Sequence, residues 1–176
     1  EVVLGIGTMI SGKSEDLGET YEKLKCSRHR NSYVIFCNSR NTRDLKGKIV
    51  SGSGKVVDNV LEADTDNIED VLQIIAGKEV GRQKIDVVIF DEFNLHSHKF
   101  VSVVKRLRSR EAVVVCYGLN LDFRGEDFPV ARRLQEIARA RETITGKKLV
   151  HTFESYCCVV EDGKQCGSPA GYTSRV

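Results

Sequence analysis

The sequence predicts an α/β protein: a parallel sheet of buried strands flanked by helices, followed by a small cysteine-bearing C-terminal segment. Three observations predict it. Gly7-Thr8-Met9-Ile10-Ser11-Gly12-Lys13-Ser14 reads G-x-x-x-x-G-K-S, preceded by the apolar run Val2-Val3-Leu4-Gly5-Ile6 and followed by a polar stretch with helical spacing. A second apolar run, Val87-Val88-Ile89-Phe90, ends in Asp91-Glu92. The apolar runs at 33–37 and 112–117 are short and continuous, as strands covered on both faces are, and 149–153 reads as a further strand. Segments of helical periodicity alternate with them.

At 176 residues the chain is long enough for one ordinary domain with a real core and a small appendage, here expected as 1–148 and 149–176. Apolar residues make up 40% and charged residues 30%, the profile of a soluble globular protein. A net charge of +2 is too small to argue for a nucleic-acid partner. No apolar run is long enough to span a bilayer and none reads as a targeting signal, so a cytoplasmic protein without a membrane partner is expected. Of the six cysteines, Cys26, Cys37 and Cys116 stand singly and read as buried, reduced thiols. Cys157, Cys158 and Cys166 cluster, which in a reducing compartment suggests a metal before a disulfide.

In chain order, residues 14–30 read as a helix with Leu17, Tyr21 and Leu24 on one face. The strand at 33–37 runs into Asn38-Ser39-Arg40-Asn41-Thr42-Arg43, at the carboxyl edge where ligands bind in parallel sheets. Residues 49–60 are weakly patterned and fit a hairpin or a mobile loop. Residues 64–75 read as a helix through Ile68, Val71, Leu72 and Ile75. Residues 96–108 read as a helix through Phe100, Val103, Val104 and Leu107, with His96 and His98 exposed at its start. The cations of residues 105–110 read as its solvated end rather than a binding patch. The strand at 112–117 leads into the loop 118–129, and residues 130–141 form a helix with Leu134 and Ile137 inward. The strand at 149–153 leads to the cysteines.

The chemistry follows from these placements. Gly7, Ser11 and Gly12 belong to a loop whose backbone N–H groups converge on phosphate at a helix N-terminus. Lys13 reaches the β/γ-phosphates and Ser14 ligates Mg²⁺. Asp91, at the carboxyl end of its strand and next to the phosphate loop, holds Mg²⁺ directly or through water. Glu92 is placed to orient or deprotonate a nucleophile. The loop 118–129 offers Leu119, Phe123 and Phe128 beside Arg124, a surface for a flat ring and a phosphate together. The alternative is a structural loop with Phe128 plugging the core.

Three motifs then resemble one family. Val-Val-Ile-Phe-Asp-Glu, the loop Tyr-Gly-Leu-Asn-Leu-Asp-Phe-Arg-Gly-Glu-Asp-Phe-Pro and the ending Cys-Gly-Ser-Pro-Ala-Gly-Tyr-Thr-Ser-Arg are similar to thymidine kinases of the P-loop, zinc-lasso type. The resemblance implies a RecA-like sheet, a small zinc-binding lasso subdomain, and phosphoryl transfer from ATP to the 5′-hydroxyl of thymidine with Mg²⁺. It implies Glu92 as general base, Arg43 and Arg124 on phosphates, Met9, Leu119, Phe123 and Phe128 as walls of the base pocket, and Tyr172 and Thr173 as the start of the lasso. It further implies zinc held by Cys158 and Cys166, with Cys157 as a third candidate, a homotetramer, and feedback binding of dTTP. The sequence departs from the family at Leu95, where an aromatic stacking face is usual, at Asn41 in place of an aspartate, and in the seven residues that separate Cys158 from Cys166. Two other readings are a P-loop ATPase in which Glu92 activates water, and a non-catalytic nucleotide-binding relative. Lys13, Ser14, Asp91, Glu92 and Arg124 together favour the active kinase.

Overall fold

In a computed structural model of the chain, every residue is described except 10, 28, 30–31, 39–46, 65, 82, 157–159, 162–163, 166–168 and 171–176. Six short segments form one parallel sheet, the four inner ones continuous and largely apolar and the two edge ones carrying the exposed Glu62, His151 and Thr152. They are β1 (Val2–Gly7), β2 (Tyr33–Asn38), β5 (Val60–Ala63), β6 (Val87–Phe90), β7 (Val113–Gly118) and β8 (Val150–Phe153), in the order β5-β2-β6-β7-β1-β8. Every neighbouring pair is parallel. The carboxyl ends of β1, β6 and β7 therefore emerge on one edge. β7 lies between the phosphate-loop strand β1 and the Asp91 strand β6.

Between β2 and β5, β3 (Lys48–Val50) and β4 (Val56–Asp58) pair antiparallel, which selects the hairpin over the mobile loop. The hairpin packs on α1 (Lys13–Lys25): Ile49 and Val57 are buried in one cluster with Leu17 and Tyr21, and Ser53 N donates to Glu15 Oε1 at 3.1 Å. Helix α1 carries acids in its first turn and lysines in its last, matching its dipole. Cys26 caps its end and is exposed, correcting the expectation of a buried thiol, whereas Cys37 and Cys116 are buried.

The opposite face of the sheet is covered by α2 (Ile68–Glu79), α3 (Phe100–Ser109) and α4 (Pro129–Thr145). Helix α2 starts four residues later than the sequence pattern suggested, because Asn67 caps it by accepting from Glu69 N at 3.2 Å. Helix α4 begins on Pro129 and ends on Gly146, whose φ of 67° closes it. Phe36 and Phe90 stack at 5.4 Å and Phe90 meets Phe100 edge-on at 4.9 Å, an aromatic seam joining β2, β6 and α3. The expected exposure of His96 is corrected. A single 3₁₀ turn, Phe93–Leu95, delays α3 and tucks the imidazole inward. There it stacks on Phe100 at 4.4 Å and its Nδ1 accepts from Asn38 Nδ2 at 2.7 Å, while His98 stays exposed.

Strand β8 pairs with β1, so residues 150–153 complete the main sheet before the chain enters its last segment. There, Ser155–Tyr156 pairs with Pro169–Ala170 and Val160–Glu161 with Lys164–Gln165, both antiparallel. No helix among the described residues is long and apolar enough to cross a membrane.

Candidate active site

The site is built where β1 stops and α1 starts. Gly12 holds φ 88°, a left-handed conformation that glycine adopts without cost, and turns the chain directly into the first turn of α1. That turn presents the N-terminal residues Lys13 and Ser14, with Ser14 half-buried. Ser11 is buried in the loop, and Gly7 closes β1. Thr8 is also buried, its hydroxyl bonded to that of Ser155, so the segment after β8 rests on the phosphate loop.

Lys13 folds back into this loop. Its ammonium donates to Gly7 O at 3.2 Å, to Thr8 O, and to Ser11 Oγ at 3.3 Å, all neutral oxygens. Burial pushes its pKa below the ordinary lysine value, and the charges of Glu92 and Asp91 partly restore it. A desolvated cation held by carbonyls and a hydroxyl, beside a glycine-led helix N-terminus, fits a polyphosphate. Two carboxylates within its field fit a divalent cation bridging such a phosphate.

Asp91 is buried at the end of β6 and Glu92 is half-buried next to it. Glu92 has φ 50°, left-handed for a residue with a long side chain, and starts the 3₁₀ turn. Such backbone strain, of order 1–3 kcal/mol, gathers at functional sites. The carboxylate of this strained residue, like that of Asp91, reaches Lys13 electrostatically.

The loop after β7 stands on the same edge. Asp122 Oδ1 accepts from Arg124 N at 2.8 Å and from Glu126 N at 3.0 Å, and Leu121 bridges Asp127. At its exposed tip the Arg124 guanidinium lies 5.1 Å from the Phe123 ring centre. Leu119 is half-buried at the loop base, and Phe128 packs on the core at the start of α4, as the structural alternative supposed. Met9 is half-buried on the phosphate loop, and Leu95 is 41% exposed on the turn after Glu92. Arg43, Tyr172, Thr173, Cys157, Cys158 and Cys166 lie outside the described residues, as does Asn41. Among the described residues no group of three or more metal-ligating side chains gathers.

Two buried polar contacts escaped sequence reasoning. Tyr117 donates to Asp16 Oδ2 at 2.6 Å and lies 3.3 Å from the Thr20 hydroxyl, tying β7 to α1; burial, above all, drives its pKa far up. Asn94, buried in the turn after Glu92, accepts from Leu119 N at 2.9 Å. Short polar residues at such spacing carry no signal of their partners.

A parallel sheet with G-x-x-x-x-G-K-S at the end of β1 and Asp-Glu at the end of β6 defines a P-loop nucleotide-binding protein. Within that class, the family model described as thymidine kinase matches residues 1–157, and the chain belongs to the thymidine kinase family. Among solved structures, the chain is similar to the Legionella pneumophila ATPase DotB at 17% identity, with a TM-score of 0.45. That match takes in 76% of this chain but spans only 33% of the ATPase.

Proposed function

We propose that the protein transfers the γ-phosphoryl group of ATP to the 5′-hydroxyl of thymidine, with Mg²⁺. The observation that carries this reading is the half-buried Lys13 ammonium in the joint field of Asp91 and Glu92, in a chain of the thymidine kinase family. Phosphoryl transfer is mostly positioning and charge neutralisation. Lys13, released from the carbonyls of Gly7 and Thr8, moves its charge onto the β/γ-phosphates, which regain for it the solvation that burial removed. The backbone of residues 7–14 and the N-terminus of α1 cradle the phosphates. Ser14 and Asp91 would hold Mg²⁺, whose charge draws electron density from the phosphoryl oxygens. Glu92 accepts the proton of the 5′-hydroxyl as the oxygen attacks, and Arg124 offsets charge on the transferring group. Met9, Leu95, Leu119, Phe123 and Phe128 form the surroundings of the nucleobase, with Tyr172 and Thr173 reading its edge and Arg43 on a phosphate.

The same reading includes a homotetramer in the cytoplasm, feedback binding of dTTP, and a division of labour between a nucleotide-binding unit (1–148) and a small lasso unit (149–176). Zinc at Cys158 and Cys166, with Cys157, is supported by their clustering in the sequence and by the family; metal analysis of the purified protein tests it. The activity is tested by incubating the protein with γ-labelled ATP, Mg²⁺ and each deoxynucleoside in turn. Labelled thymidine monophosphate, with little label on the purine nucleosides, is the expected result. Phosphate release that does not depend on a nucleoside would replace the kinase by an ATPase.

A further inference from the structure

We infer that Asn94 is a positioning residue: through one side-chain hydrogen bond it fastens the substrate-side loop 118–129 to the turn that carries Glu92. Its kinetic consequences rest on the kinase reading. The bond itself does not.

The observations are local and independent of one another. Asn94 is 6% exposed and its Oδ1 accepts from Leu119 N at 2.9 Å. Leu119 is the first residue past β7, so this side chain continues the bonding where the ladder stops. Gly118 makes the seat possible. A Cβ there would stand 2.5 Å from Asn94 Oδ1 and 2.7 Å from Phe93 Cδ1, too close for any residue other than glycine without a shift. The two ends of this contact are stiff. On one side, Leu95 N donates to Glu92 O at 3.0 Å and His96 N to Phe93 O at 3.2 Å, closing the turn on the strained Glu92. On the other, Asp122 N donates to Glu126 O at 2.8 Å and Phe128 N to Asn120 O at 3.1 Å, so the loop is knit along its length.

A knit loop fastened at its base moves as a body with whatever holds that base. Beyond the last rung of the β6–β7 ladder, the separation between the Glu92 carboxylate and Leu119 and Phe123 is thereby held by one asparagine side chain. A substrate held by its ring and attacked through a remote hydroxyl needs that separation fixed, since a misplacement of about 1 Å can cost about 10²-fold in rate. A purely structural asparagine, which only satisfies Leu119 N, would change stability without discriminating between the two substrates.

The test compares wild type with Asn94→Ala, Gly118→Ala and the double variant, by steady-state kinetics and by amide exchange at Leu119. Asn94→Ala and Gly118→Ala are each expected to lower kcat/KM for the nucleoside by about 10- to 100-fold, with nucleotide affinity within about twofold of wild type. The double variant is expected to lose little more than either single variant, because both remove the same contact. Leu119 exchange is expected to rise in Asn94→Ala and to stay slow in Asn94→Asp, which keeps the acceptor oxygen. Unchanged Leu119 exchange in Asn94→Ala, or a loss of ATP affinity as large as the loss in nucleoside kcat/KM, overturns the inference. A wild-type protein that phosphorylates no nucleoside refutes the kinase reading instead, and Leu119 exchange still decides whether the fastening exists.

Discussion

Glu92 carries two loads that substitution can separate, one chemical and one conformational. Its carboxylate is the proposed base, and its backbone sits at φ 50°. Replacing it by glutamine keeps size and hydrogen bonding and removes basicity; a general base is worth about 10²–10⁴ in rate. That corresponds to about 2.7–5.4 kcal/mol of barrier at about 1.36 kcal/mol per decade. Replacing it by alanine removes the side chain but leaves a Cβ in the left-handed region, at a cost of about 1–2 kcal/mol that glycine does not bear. Glu92→Gly is therefore expected to be as inactive as Glu92→Ala but more stable by about 1 kcal/mol, raising Tm by about 2–4 °C in a domain of this size. Single-turnover kinetics at saturating ATP and nucleoside read the first effect, and paired thermal melts read the second. Turnover of Glu92→Gln within threefold of wild type would refute the base assignment. A glycine variant no more stable than the alanine variant would refute the strain argument.

Lys13→Ala is expected to weaken ATP binding by about 10- to 100-fold, the worth of a charge-assisted hydrogen bond, and to lower turnover with it; calorimetric titration with a non-hydrolysable analogue checks the binding arm. Glu142 Oε1 accepts from Leu149 N at 2.6 Å and Val150 N at 2.9 Å, and these backbone bonds hold its pKa below the ordinary value of 4.5. Its contribution is present above that ordinary value and is lost as pH falls through the lower folded value. Exchange protection at Leu149 and Val150 should accordingly drop on acidification, and Glu142→Gln should flatten the dependence. Phe90→Ala removes a fully buried ring that stacks on Phe36 and meets Phe100 edge-on, and is expected to destabilise the fold by about 3–5 kcal/mol in urea titrations.

What the sequence made legible was whatever is periodic or local. The phosphate loop declared itself by glycine spacing between a strand and a helix, and β6 by its apolar run and terminal carboxylates. β5 did not, because Val60–Ala63 is four residues long and follows the hairpin with only Asn59 between. His96 was misread because its helical spacing with Phe100 extends the α3 pattern back across a 3₁₀ turn, and only the folded turn points it inward. Cys26 was misread because a lone cysteine at a helix end gives no sign of which face it caps. The strand order, with β7 between β1 and β6, depends on pairings between segments tens of residues apart, and no local pattern encodes them. Asn94 shows the same limit at the site: its partner lies 25 residues away and is a backbone amide, which every residue but proline has.

Lys13, Asp91 and Glu92, on the kinase reading, serve a transfer to a nucleoside hydroxyl rather than to water. The most direct measurement is the ratio of ADP to nucleoside monophosphate formed with thymidine, beside the same assay with 5′-deoxythymidine, which keeps the ring and the 3′-hydroxyl but lacks the 5′-hydroxyl that would attack. One monophosphate per ADP is expected with thymidine, and almost no ADP with the deoxy analogue. Equal ADP formation with both compounds, and no phosphorylated nucleoside, would contradict that reading.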